Sequence, residues 1–234
     1  MIHFSKLIIG YKSALFTIEN LSLQAGKLYA LIGSNGSGKS TFLATINGET
    51  APISGKISIK DKLFTAIPKQ EKSRLIANVS SKFEGIEYLT VHDYVSLGRH
   101  PYTNFIGKLS PEDHVIIEQS IAKLNISELS LKATRYISDG ERQMASIARA
   151  LAQETPIILL DEPTAFLDYG NRIRLIRLLK QIADEENKCI LFSCHELELC
   201  LEEQLEILLI DKSKKSLNLL SNNLSKKEIL EIGF

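Results

Sequence analysis

Gly33-Ser34-Asn35-Gly36-Ser37-Gly38-Lys39-Ser40 fits the pattern G-x-x-x-x-G-K-[ST], whose chemistry is polyphosphate binding. Glycines let successive backbone N–H groups turn inward around an anion, and a helix beginning at Lys39 would add its positive dipole end. Lys39 would reach the outer phosphates as a point charge. The Ser40 hydroxyl is a ligand of the kind Mg²⁺ accepts, and Thr41 stands beside it in the first helical turn. A second group is Ile157-Ile158-Leu159-Leu160-Asp161-Glu162, four aliphatics followed by two acids. Strands of open α/β sheets end at the ligand-binding crevice, so Asp161 should emerge beside the phosphate loop, suited to hold Mg²⁺ through water. Glu162, one residue on, could orient and deprotonate an attacking water, a role that typically contributes about 10²–10⁴ in rate. His195 follows another apolar run, Cys189 to Ser193. It should surface at the same edge, within reach of a terminal phosphate and of Glu162. Ile137-Ser138-Asp139-Gly140-Glu141 precedes an amphipathic helix with Met144, Ile147, Ala148 and Leu151 on one face. Such a start offers an anion a hydroxyl and free amides; it is equally the form of an ordinary Ser N-cap.

These groups need a scaffold that brings distant segments to one edge. Residues 2–9 and 16–23 read as strands, the second alternating through Phe16 and Ile18 and then, after a phase slip, Leu21 and Leu23. Leu28 to Ile32 is a short apolar run, the mark of a strand buried on both faces. A helix should follow from Lys39 to Asn47, stopped by Gly48, and Gly55 to Ile59 suggests another strand. From about 72 to 152 the pattern turns helical, with few convincing strands until Ile157. Strands at 157–160 and 189–193 flank a helical stretch at 170–186, an alternation that implies a parallel sheet. After Asp211 comes a lysine- and serine-rich tail with a short helical segment at 225–232.

Composition narrows the class. The chain has 234 residues, enough for one α/β domain with an inserted subdomain. Its 28 basic and 28 acidic residues cancel, which gives no support to nucleic-acid binding. The three cysteines, Cys189, Cys194 and Cys200, fit core thiols kept reduced in a cytoplasm. The N-terminus lacks a basic, apolar leader, and no run reaches the roughly 18 apolar residues that span a bilayer. A link to a membrane would therefore run through a partner.

Together these residues resemble an ABC-type ATPase over about residues 1 to 211. The most specific element, Ile137-Ser138-Asp139-Gly140-Glu141, is similar to the family signature LSGGQ, with Asp139 for a glycine and Glu141 for the glutamine. The resemblance implies a P-loop, RecA-like α/β core with a mixed sheet at 1–72 and 153–211. It also implies an N-terminal antiparallel β subdomain, a helical signature subdomain at 73–152 and a tail at 212–234. It implies ATP and Mg²⁺, and a homodimer in which Ser138, Asp139, Gly140 and Glu141 act in trans. Lys39, Ser40, Asp161, Glu162 and His195 act in cis, Asp168 lies in the loop that crosses the dimer seam, and Tyr11 stacks on adenine. Where the family places a glutamine touching metal and water, this chain offers Ser81. Leu97-Gly98-Arg99-His100-Pro101-Tyr102 resembles importers of iron–siderophore, haem and vitamin B12. That implies integral-membrane permease partners, a substrate-binding protein, and a place on the inner face of the cell membrane. Two alternatives stay open: an ABC ATPase of assembly or repair without a permease, and a nucleotide-dependent clamp with weak hydrolysis.

Overall fold

The computed structural model describes residues 1–220; the helical segment expected at 225–232 lies outside them. Ten strands form one continuous sheet: β1 (Ile2–Gly10), β2 (Ala14–Leu23), β3 (Lys27–Ile32), β4 (Ser54–Ile59), β5 (Lys62–Leu63), β6 (Ile76–Val79), β7 (Ile157–Leu160), β8 (Cys189–Cys194), β9 (Glu206–Asp211) and β10 (Ser216–Leu219). Their order is β5-β4-β1-β2-β10-β9-β3-β8-β7-β6. From β9 to β6 neighbours are parallel, and β5, β4, β1 and β2 pair antiparallel. The helices are α1 (Lys39–Asn47), α2 (Lys69–Lys72), α3 (Val91–Ser96), α4 (Pro111–Lys123), α5 (Asp139–Ala152), α6 (Tyr169–Glu185) and α7 (Leu197–Glu202).

The apolar runs are strands buried on both faces. Leu28, Ala30, Ile32, Ile158, Leu160, Ile190 and Phe192 point into a core shared with α3 to α7. Tyr29, Leu31, Ile157, Leu159 and Leu191 point into a second core with α1 and the antiparallel strands. In that second core the Phe42 ring of α1 packs on Phe4 and Phe16, with centroids 5.4 and 5.9 Å away. Such aromatic pairs add about 0.5–1.5 kcal/mol beyond area burial. They fix the helix whose first residue is Lys39. The slip in the second strand falls at Glu19 and Asn20; Asn20 pairs with Ser5, next to Lys6, whose φ of 47° breaks the alternation of β1.

Two boundaries move. The sheet reaches past residue 72, because Ile76–Val79 pairs with Ile157–Leu160 as its edge strand. Four residues, one of them the polar Asn78, were too few to stand out from the helical patterning around them. The stretch after 211 also adds a strand, since Ser216–Leu219 pairs with β9 and touches β2 at Thr17. Only Leu217 among its residues is buried.

Candidate functional site

The phosphate loop joins β3 to α1. Gly38 caps the helix with φ 106°, and a Cβ there would come within 3.0 Å of the Phe16 ring and 3.1 Å of Leu15. The loop thus lies against the antiparallel strands, and only glycine fits. Lys39 is buried, and its Nζ donates to Gly33 O at 2.8 Å and Ser34 O at 3.5 Å. Burial pushes its pKa down, against the opposing pull of the Glu162 and Asp161 carboxylates. A buried cation whose bonds go to carbonyl oxygens can take an anion in their place. Asn35, Gly36, Ser37, Gly38, Lys39, Ser40 and Thr41, with Leu15 and Glu162, line a cleft of about 220 Å³.

Glu162 reaches that cleft from the other side. Strand β7 ends at Leu160, and the Asp161 N–H is held by Val79 O at 2.9 Å. At Glu162 the backbone turns left-handed, φ 48°, and its Oε1 lies 2.8 Å from His195 Nε2. The expected convergence of the two strand ends is found. Sequence reasoning missed Ser193. Its fully buried hydroxyl donates to Asp161 Oδ1 at 2.6 Å and accepts from the Glu162 N–H at 2.7 Å. The available signal was a lone hydroxyl between Phe192 and Cys194 in an otherwise apolar strand. Leu15 was missed as well.

Ser138 caps α5 in a reciprocal box. Its N–H and Oγ donate to Glu141 Oε2 at 2.7 and 2.8 Å, and its Oγ accepts from the Glu141 N–H at 3.3 Å. The Ser138 backbone N–H is the main cause that holds the Glu141 carboxyl below its ordinary pKa. Asp139 pairs with Arg142, which also donates to Ile137 O at 2.5 Å. Gly140 faces Phe166 and Leu167, and Asp168 caps α6 by accepting from Asn171 N at 2.9 Å. Ser138 to Glu141 and Asp168 line a larger cleft, about 740 Å³. The two clefts share no lining residue.

Gly33, Ser34, Asp161 and His195 do not line either cleft, and neither do Tyr11, Ser81 and the segment from Gly98 to Tyr102. Tyr11 sits on the bend between β1 and β2 and is 69% exposed. Ser81 follows β6 at the same sheet edge as Asp161 and is partly buried. The Gly98-Arg99-His100-Pro101-Tyr102 segment is an interior clamp. A Cβ on Gly98 would meet Arg149 O at 2.3 Å. Arg99 is buried and bonds Asp113 Oδ1 at 2.7 Å, Ala152 O at 2.8 Å and Glu154 Oε2 at 2.7 Å, under the Tyr102 ring. Arg74 donates to Pro101 O at 3.0 and 2.8 Å, and Gln153 donates to Ser73 O at 2.7 Å, tying the helices to the sheet edge.

A glycine-rich loop wrapped against a parallel sheet, with two acids and a histidine converging on it, defines a P-loop ATPase. The family model described as ABC transporter matches residues 17–165, and the chain belongs to that family. It is 36% identical over 194 residues to the probable siderophore transport system ATP-binding protein YusV of Bacillus subtilis, covering 82% of this chain and 70% of the relative. It is 34% identical over 193 residues to the iron(3+)-hydroxamate import ATP-binding protein FhuC of the same organism, covering 82% and 72%. A solved inward-facing structure of a putative metal-chelate type ABC transporter superposes with TM-score 0.84 at 28% identity, covering 99% of this chain and 87% of that one. The chain is an ATP-binding subunit of the ABC class, and ATP hydrolysis is its reaction.

Proposed function

We propose that this subunit energises an importer of metal chelates of the iron–siderophore type, working as a homodimer with ATP sandwiched at its interface. The observation that carries the hydrolytic part is the Glu162–His195 contact of 2.8 Å at the rim of the phosphate-loop cleft. The cargo class rests on the siderophore and hydroxamate transport names of the relatives. Among the described residues no helix is long and apolar enough to cross a membrane. Work on a membrane substrate therefore calls for permease subunits, and the importer reading adds a substrate-binding protein.

Lys39 binds the outer phosphates together with the loop amides. Glu162 orients a water toward the γ-phosphorus and takes its proton. His195 holds the Glu162 carboxylate in place and reaches the γ-phosphate. Tyr11, exposed at the entrance hairpin, is free to stack on adenine. No cluster of three or more His, Cys, Asp and Glu side chains exists among the described residues to hold a metal alone. The oxygen donors Ser40 and Asp161 suit Mg²⁺, which is usually held by one or two carboxylates plus substrate phosphates. Ser40 and Asp161 would hold it, with Ser81 near through water, and it would neutralise developing phosphate charge. The dimer reading has its own support. A cleft of about 220 Å³ is smaller than the roughly 300–1,000 Å³ of whole-ligand sites. The signature residues Ser138, Asp139, Gly140 and Glu141 stand over a separate cleft with Asp168, so a second copy completes the nucleotide site. Glu162→Gln should lower kcat by about 10²–10⁴ with ATP binding retained; phosphate release equal to wild type would refute the assignment. Recovery of the tagged chain from membranes with a multi-span permease tests the transport reading, and purification without one favours a permease-free role.

A further inference from the structure

We infer that Ser193 is a positioning residue of the hydrolytic site, an inference that rests on the roles proposed for Asp161 and Glu162. Strands β7 and β8 are parallel with Leu160 opposite Phe192, so the next residues, Asp161 and Ser193, are lateral neighbours. A serine hydroxyl has one proton to give and lone pairs to accept, and here both capacities are used on consecutive residues of the other strand. The proton goes to Asp161 Oδ1 at 2.6 Å, which fixes that carboxylate's rotamer and leaves its second oxygen out of this bond. The lone pair takes the Glu162 N–H at 2.7 Å.

The second bond has a conformational purpose. Glu162 is left-handed at φ 48°, a conformation uncommon outside glycine, asparagine and aspartate. A partly buried amide turned out of the ladder needs an acceptor, and Ser193 Oγ supplies it. With the backbone pinned there, the Glu162 carboxylate swings to His195 Nε2 at 2.8 Å. Residues 193 and 195 of one strand end thus hold Glu162 twice, by its backbone and by its side chain. Ser193 itself is fully buried and absent from the cleft lining. With no surface on the cleft, it acts through the two acids.

The test uses the full chain with Ser193→Ala and Ser193→Thr. Mn²⁺, standing in for Mg²⁺, is titrated into the protein–ATP complex and followed by EPR; ATP affinity without metal and steady-state hydrolysis are measured alongside. Ser193→Ala should keep metal-free ATP affinity within about twofold, because Lys39 and its loop are untouched. Mn²⁺ affinity should fall about tenfold, and kcat at saturating metal by about tenfold or more, the scale of one hydrogen bond to a charged group. KM for ATP should move less than kcat. Ser193→Thr, which restores the hydroxyl, should recover both. If Ser193→Ala does not fold, Ser193→Cys, close in size with a weak donor, should show the same split. Wild-type Mn²⁺ affinity and kcat in Ser193→Ala, or no rescue by threonine, would overturn the inference. If Glu162→Gln remains inactive in that case, only the role of Ser193 is lost; if Glu162→Gln is as active as wild type, the functional reading goes with it.

Discussion

Replacing Arg99 with methionine keeps most of the side-chain volume and removes the guanidinium from the centre of the helical insertion. Only 6% of the Arg99 side chain and 9% of the Asp113 side chain are exposed, so solvent cannot repair the loss. The Asp113 carboxylate would keep its bonds from the Ser110 N–H and Oγ at 2.8 Å each. It would lose its cation, and Ala152 O would lose a donor. Glu154, half exposed, would turn to water at little cost. Removing one partner of a buried ion pair costs about 3–5 kcal/mol. For a chain of this size each kcal/mol shifts Tm by roughly 2–4 °C, so the melting point should drop by about 6–20 °C on those two scales. Differential scanning calorimetry of the nucleotide-free chain measures it, with ATP affinity as a control, because Arg99 lines neither cleft. A Tm within about 1 °C of wild type, combined with lost permease association, would refute the clamp and make Arg99 a contact residue instead.

Acid stability should report the same clamp. The Ser110 N–H, and then Arg99, hold the Asp113 carboxyl below its ordinary range. A depressed carboxylate pKa contributes stability that is fully present above the unfolded value of about 3.9 and is lost as pH falls through the folded value. Asp113→Asn should therefore flatten the stability–pH curve below about pH 4, and an unchanged slope there in urea titrations would contradict it. Lys39→Ala should weaken ATP binding by about 10–100-fold, the range of a charge-assisted hydrogen bond, as read by fluorescent-nucleotide titration; unchanged affinity would be the adverse result. Tyr11→Ala should weaken binding by about tenfold, since stacking on a base is worth roughly 1–3 kcal/mol. Tyr11→Phe should leave it unchanged, and a loss in both variants would point to the hydroxyl.

The parts of the fold that position the site were legible because burial on both faces leaves a coarse mark. Leu28–Ile32, Ile157–Leu160 and Cys189–Ser193 are apolar runs that lead into the proposed site residues, and each is a central strand. Strand β6 was hidden because it lies at the sheet edge, one of its four residues only partly buried. Strand β10 was hidden because two of its four residues are exposed. Ser193 escaped notice for another reason: periodicity reports which face is buried, whereas its meaning depends on which strand lies beside it. Arg99 shows what a resemblance leaves out. The segment that holds it resembles importers, whereas the partners of its guanidinium, Asp113 and Glu154, lie 14 and 55 residues away and could not be read from the segment.

In the proposed homodimer ATP is the glue between one chain's phosphate loop and the other's Ser138-capped helix. The direct measurement is the mass of the Glu162→Gln chain in solution, by light scattering after size exclusion, with and without Mg·ATP. A two-chain species should appear with nucleotide, vanish without it, and fail to form when Lys39→Ala or Ser138→Ala is added. A single-chain mass at saturating Mg·ATP would contradict the claim.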